Sequence, residues 1–276
     1  MTKNIGALVL GLAAACGPAA AVEPWALYDD FSSTYLDPGR WPATSQERRR
    51  TVEGNVARLM QRDLSRTDLD SGRTGYSFGN SITRGTAVKQ MRSYVRVNAV
   101  DMAACSSPSA NTTPARVRAR MVNTYFSTGN RVTGSNVGDV IAQLYLFRDS
   151  NSADPAGTLR VEGNVLVCRD STCADAGAIG STGSMGTAVL GQNVLLTLEW
   201  DRAAKLFRFS RDNGLTWFPV SYSTASLSLD DSAEPGNMFK SIGTRTDVPN
   251  CVGGQRASAF IDAQFDLVSV NKSAAP

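Results

Sequence analysis

Glu199 and Asp201 in "EWD" stand two positions apart, which places both carboxylates on one face of an extended strand. Gln143 and Tyr145 in "QLY" share a face in the same way, and Arg118 and Arg120 in "ARVRARM" offer charge that can hold a carboxylate or lower a phenol's pKa. Histidine is absent from all 276 residues, so Ser-His-Asp and Cys-His mechanisms are excluded for want of an imidazole base. There is no G-x-x-x-x-G-K phosphate loop. Zinc is disfavoured by the lack of histidine and of any C-x-x-C pair. The oxygen-rich loop "DSNSAD" (Asp149, Ser150, Asn151, Asp154) and the pair Asp230 and Asp231 are the candidates for a structural calcium ion, although neither has EF-hand spacing. No other cofactor is expected.

These groups need a scaffold and a compartment. The leader "MTKNIGALVLGLAAACGPAAAVEPW" has Lys3, an apolar stretch from Ile5 to Ala15 and small residues before Val22, so residues 1–21 read as a secretory signal peptide. That predicts export to the periplasm or the extracellular space. A lipid anchor at Cys16 is the weaker reading, because Ala13 stands where a lipoprotein signal carries Leu. The apolar stretch is too short to span a bilayer, and no later window matches it, so no membrane span is expected. Removing the leader leaves Cys105, Cys168, Cys173 and Cys251, an even set suited to disulfides in an exported protein. Four cysteines permit three pairings. The "CRDSTC" loop favours Cys168 with Cys173, which leaves Cys105 for Cys251. The formal net charge is +3, and the arginines are scattered singly except in "ERRR", read as a solvated turn or edge, so nucleic acid is not expected as a partner.

Period-two alternation recurs along the chain and no window holds a helical period, which predicts an all-β protein. Val95, Val97 and Ala99 alternate with Tyr94, Arg96 and Asn98; Val117, Ala119 and Met121 with Arg116, Arg118 and Arg120. Ala142, Leu144 and Leu146 oppose Gln143, Tyr145 and Phe147; Leu196, Leu198 and Trp200 oppose Thr197, Glu199 and Asp201; Ile261, Ala263 and Phe265 oppose Asp262, Gln264 and Asp266. One apolar and one polar face per strand is the signature of antiparallel sheets packed as a sandwich. "VEGNV" occurs at 52–56 and again at 161–165, and both copies are read as hairpin turns. Ser/Gly/Asn/Pro-rich loops lack the length of a linker, so residues 22–271 are expected to form one domain, with 272–276 a frayed tail.

Several stretches carry resemblances. Ser210, Asp212, Gly214, Thr216 and Trp217 follow the S-x-D-x-G-x-T-W spacing of the Asp box of sialidases; a single copy without a blade-length repeat predicts a stapled hairpin and not a sialidase site. "YDDFSSTYLDPGRW" with "QERRRTVEGNVARLMQR" resembles the opening of concanavalin A-like lectin/glucanase domains, of LamG or laminarinase-like type. "VLLTLEWDRAAKLFRFS" looks like their central strand pair and "AFIDAQFDLVSV" like their closing strand. The resemblance implies a jelly-roll β-sandwich of two curved antiparallel sheets, with sugars lying across a concave face or its rim. Laminarinase-type members carry E-x-D-x-x-E; here Glu199 and Asp201 match, but Ala204 holds the third position, so double displacement is not supported. Jelly-roll alginate lyases show Q-x-H, and Tyr145 replaces that histidine.

The expected function is therefore an exported, non-catalytic lectin-like sandwich that binds a glycan or other extracellular ligand on a polar concave face made by Arg118, Arg120, Gln143, Tyr145, Glu199 and Arg208. Tyr76 and Phe78 in "GRTGYSFGN" are expected in a rim loop. The alternatives are a polysaccharide-cleaving hydrolase or lyase of the same fold, and a structural envelope or adhesion protein.

Overall fold

A computed structural model describes residues 46–65, 69–82, 88–129, 131–253 and 255–274, all within one compact unit, Thr44–Pro276. The expected leader, Cys16, the domain start at residue 22 and the "YDDFSSTYLDPGRW" stretch lie outside the described residues. The alternating segments become strands: β1 (Gln46–Glu53), β2 (Val56–Leu64), β3 (Arg73–Ser81), β4 (Gln90–Ala103), β5 (Arg116–Ser127), β6 (Asp139–Asp149) and β7 (Thr158–Cys168), followed by β8 (Ala176–Val189), β9 (Val194–Asp201), β10 (Leu206–Ser210), β11 (Phe218–Ser221), β12 (Lys240–Pro249) and β13 (Ser258–Val270). They pair antiparallel into a seven-stranded sheet, β1-β2-β13-β4-β9-β10-β11, and a six-stranded sheet, β3-β12-β5-β6-β7-β8. This is the β-sandwich expected of the alternation, with the jelly-roll form that the resemblance implies. No helix among the described residues is long and apolar enough to cross a membrane.

The core lies between the sheets. Val117, Ala119 and Met121 of β5 and Val140, Ala142, Leu144 and Leu146 of β6 face Val95 and Val97 of β4, Leu196 and Leu198 of β9, and Ile261, Ala263 and Phe265 of β13. A register shift between Thr124 and Phe126 lets the adjacent Tyr125 and Phe126 both turn inward, where they meet Trp200, Phe207 and Tyr222 at ring-centre distances of 5.1 to 6.5 Å. A second shift, between Asp262 and Ala263 opposite β4, changes the phase after Asn98, so Val100 and Met102 pack on the core where Ala99 is expected to.

A polar seam crosses the sandwich beneath β12. The inward residues of β12 here are Thr244 and Thr246. The Thr244 hydroxyl donates to Gln61 Oε1 at 2.7 Å, Gln61 Nε2 donates to Thr246 Oγ1 at 3.0 Å, and Thr246 donates to Asp63. Arg48 closes the seam on Asp63 at 2.8 Å. Buried polar groups cost free energy unless every partner is placed, so the seam pins the register of β12 on β2.

Turn chemistry accounts for the loops. Gly54 and Asn55 adopt positive φ between β1 and β2, as a two-residue hairpin turn requires. The second "VEGNV" is a correction: Val161–Val165 lies inside β7, paired with β6 and β8 on its two sides. Its glycine serves packing, because a Cβ on Gly163 would sit 2.6 Å from the ring of Phe209. The "ERRR" run lies on edge strand β1. In the β10–β11 hairpin, Ser210 Oγ donates to Asp212 Oδ1 at 2.7 Å, the Thr216 amide donates to the same oxygen at 2.9 Å, and the Gly214 amide donates to Ser210 Oγ at 2.9 Å. The Asp box is a hairpin staple, with Trp217 packed against Gly214.

Both expected disulfides are present. Cys105–Cys251 ties the segment after β4 to the one after β12, and Cys168–Cys173 closes the loop from β7 to β8. β9 and β10 are corrected from central strands to positions near one edge of the seven-stranded sheet, and the last strand, β13, sits between β2 and β4. Lys272–Ala274 forms a 3-10 turn with Ala274 buried, so the chain is held further than the expected frayed tail allows.

Candidate functional site

A groove of about 670 Å³ crosses the outer face of the six-stranded sheet. Its floor follows from cross-strand register, which sets side chains of adjacent strands side by side. Ser77 of β3 pairs with Arg245 of β12, which pairs with Arg118 of β5. In the next row Gly79, Gly243 and Arg120 lie abreast, followed by Tyr145 of β6. In the third, Ser81, Ser241 and Val122 lead to Gln143 and Asn164. Because the inward phase of β5 is taken by Val117, Ala119 and Met121, its arginines must project outward.

Small residues open the space above this floor. The outward phase of β3 is Gly75, Ser77, Gly79 and Ser81. A Cβ on Gly75 would lie 2.1 Å from Arg245 Nη2 and 2.7 Å from Asp247 Oδ1, so the glycine makes room for that ion pair.

The charges are unbalanced. Among the described residues, Arg73, Arg118, Arg120 and Arg245 line the groove against a single carboxylate, Asp247. Arg118 is ion-paired with Asp247, and Arg245 Nε donates to it at 2.9 Å. Burial pushes the Asp247 pKa up, but the charges of Arg118 and Arg245 outweigh burial and hold it well below the usual carboxylate range. Arg116, just outside the lining, is satisfied by Asp149 through two bonds of 2.6 and 2.8 Å. Arg120 has no acid. It is 8% exposed, donates to Gln143 Oε1 at 3.1 Å and Ser77 Oγ at 2.8 Å, and its Nε has no partner among the described residues. Burial, then the neighbouring charges of Arg245 and Arg118, lower its pKa well below the ordinary guanidinium value.

The opposite end of the groove is apolar. Val122, Ile141 and Cys168 form a small cluster of their own outside the main core, with Leu166, Cys173 and Phe239 packed against it. The disulfide loop supplies the wall through Thr172, Cys173 and Ala174. Asp170 braces it by accepting from the Thr172 and Ala174 amides at 2.8 and 3.1 Å, and from the Asp175 amide. Asn136 also lines the groove, and its Oδ1 is buried without a partner among the described residues.

Of the residues singled out from sequence, Arg118, Arg120 and Gln143 meet in this groove, and Phe78 also contributes to its lining. Tyr145 shares their face but is buried; its Oη accepts from Asn164 Nδ2 at 3.0 Å, and the Arg118 guanidinium stands 5.6 Å from its ring centre. Burial, then the charge of Glu162, pushes the phenol up to about 12. Glu199 and Arg208 do not join them: the two are cross-strand partners on the seven-stranded sheet, beyond the core, and Arg208 pairs with Asp201 at 3.1 Å. Tyr76 and Phe78 are corrected from a rim loop to the inward phase of edge strand β3, where Tyr76 joins the core and Phe78 packs beneath Arg50.

Arg73, Arg245, Asp247 and Asn136, with the apolar Ile141, Leu166 and Phe239, are among the lining residues that sequence reasoning missed. β12 reads T-R-T-D, and its threonines occupy the inward phase, so no apolar alternation marks Arg245 and Asp247 as a face. The calcium candidates are engaged elsewhere: Asp149 with Arg116, Asp154 with Arg160, Asp230 with Ser232, and Asp231 with Lys205 and Tyr222. Among the described residues no three acidic, cysteine or histidine side chains converge as a metal site.

No family model matches the chain, and no curated protein matches it. Among solved structures it is similar to the carbohydrate binding module CBM66 from Bacillus subtilis, with TM-score 0.30, 8% identity, and coverage of 82% of this chain and 94% of that one. It is also similar to winged bean acidic lectin complexed with methyl-alpha-D-galactose, with TM-score 0.26, 13% identity, and 82% and 91% of the two chains covered. A third is a GH43 protein from Bacillus licheniformis, with TM-score 0.28, 13% identity and 75% of this chain covered, where the match spans 32% of that protein. All three likenesses are remote.

Proposed function

We propose that this chain is an exported protein that binds a glycan, without cleaving it, in the groove across β3, β12, β5 and β6. The observation that carries this reading is the convergence of Arg118, Arg120, Arg245, Gln143 and Ser77 on one open floor, where guanidinium, amide and hydroxyl groups suit sugar hydroxyls and acids. Glycoside hydrolysis by paired carboxylates needs two of them about 5 to 10 Å apart. The described lining offers Asp247, already clamped by two arginines. A lyase acting through Tyr145 would need a phenol that ionises readily, and this one is shifted the other way. Two disulfides support the exported reading, since oxidised cysteines persist outside the reducing cytosol.

The test is a glycan array followed by calorimetry on the best binder. Arg120→Met is expected to weaken binding at least about tenfold, the worth of one charge-assisted hydrogen bond. Its thermal midpoint should equal or exceed the parent's, because the variant removes a buried charge that lacks a counter-ion. Ser77→Trp, at an exposed position on the groove floor, blocks the site from its outward face and should abolish binding. An array with no binder, or binding that survives both substitutions, overturns the reading.

A further inference from the structure

The groove has two chemically different ends, and the glycan-binding reading says nothing of why. At one end four arginines face one aspartate, leaving an excess of positive charge on the floor. Arg118 and Arg245 are shared with Asp247, whereas Arg120 is held by the neutral acceptors Gln143 and Ser77 and has no carboxylate. At the other end Val122, Ile141, Leu166, Phe239 and the Cys168–Cys173 bridge make an apolar patch on a face that elsewhere is polar. Val122, Ile141 and Cys168 are themselves buried, so the apolar surface left to meet a ligand is that of the half-buried Leu166, Cys173 and Phe239, all three in the groove lining. Arg120 and Val122 are consecutive outward residues of β5, so charge and apolar patch are about 7 Å apart along the strand, the scale of a single pyranose ring.

We infer that the groove selects an acidic sugar bearing a small apolar substituent, with its carboxylate at Arg120, Arg118 and Arg245 and its acetyl or methyl group against Phe239, Leu166 and the Cys168–Cys173 bridge. The inference rests on the glycan-binding reading and narrows it. The two observations are independent: the charge excess selects an acid, and the apolar end selects an acyl or methyl group. Neutral sugars leave Arg120, already buried, desolvated without a counter-ion, which is costly. Unsubstituted uronates leave the apolar end wet.

The experiment uses the full chain and an array of uronate and nonulosonate glycans, printed with and without O-acetyl esters, beside neutral glycans. Carboxyl-bearing glycans are expected to bind at least about tenfold more tightly than their carboxyl-reduced counterparts. Removing the esters with mild base should weaken binding about fourfold for each buried methyl lost. Phe239→Ser should erase that fourfold preference while keeping the preference for acids, and Arg245→Gln should do the reverse. Far-ultraviolet circular dichroism and thermal midpoints establish that both variants fold. If neutral glycans bind as well as acidic ones, or if de-esterification changes nothing, the inference fails while the glycan-binding reading stands. If nothing on the array binds, both fail.

Discussion

Replacing Cys105 and Cys251 together with serine is expected to lower the unfolding free energy by about 4 to 5 kcal/mol. The bridge closes a loop of sequence separation 146, so cutting it releases the ends of more than half the chain in the unfolded ensemble. It also joins the segment after β4, in one sheet, to the segment after β12, in the other. Opening Cys168–Cys173, with a separation of 5, should cost only about 2 kcal/mol on the same chain-entropy argument. Ligand binding should respond in the opposite order, because the short bridge forms the groove wall and the long one does not touch the groove. Urea unfolding of the two double variants, with calorimetry on each, checks both statements. A greater stability loss from the short bridge would refute the assignment.

Lys240 is expected to make stability rise with pH across the neutral and alkaline range. Its side chain is 1% exposed, at the start of β12; the ammonium donates to the Thr124 carbonyl, stands 3.6 Å from Met238 Sδ and lies 4.1 Å from the centre of the Tyr125 ring. None of these partners is an anion, and burial lowers its pKa from the ordinary 10.5 to about 7. Between those values the unfolded chain carries a proton that the folded chain has released, so folding becomes more favourable as pH rises, by about 1.4 kcal/mol per pH unit. Below about pH 7 both states are protonated and the full cost of the buried charge remains. Lys240→Met, which keeps the length and removes the charge, should therefore be more stable than the parent at pH 6, with the advantage shrinking steadily toward pH 10. Unfolding curves for the two proteins that stay parallel over that range would sink the assignment.

What could be read from the sequence and what could not follows a physical boundary. Arg118, Arg120 and Gln143 were identifiable because alternation on β5 and β6 assigns each residue to a face, and the apolar partners Ala119 and Leu144 leave no ambiguity about which. Arg245 and Asp247 were hidden because Thr244 and Thr246 occupy the inward phase of β12, held by Gln61 and Asp63 in place of apolar contacts. Tyr76 and Phe78 sit among glycines and serines that resemble loop composition. In the strand those small residues are the outward phase that opens the groove. Glu199 and Arg208 were given the right phase and the wrong sheet.

The two copies of "VEGNV" show the boundary most plainly: the first is a hairpin turn with Gly54 and Asn55 at positive φ, and the second is the middle of β7, where Gly163 is needed under Phe209. Sequence alone determined the all-β class, the local Cys168–Cys173 pair, the stapled turn at Ser210–Trp217, and the absence of any imidazole for catalysis. These depend on residue type and short-range spacing, which the chain carries with it. Tertiary structure decided which strands are neighbours, and therefore that β3, β12 and β5 lie side by side and collect Arg73, Arg245, Arg118 and Arg120 in one groove. A period of two states which way a side chain points and is silent about what lies across from it; that is chosen by long-range pairing and by the burial of a shared core.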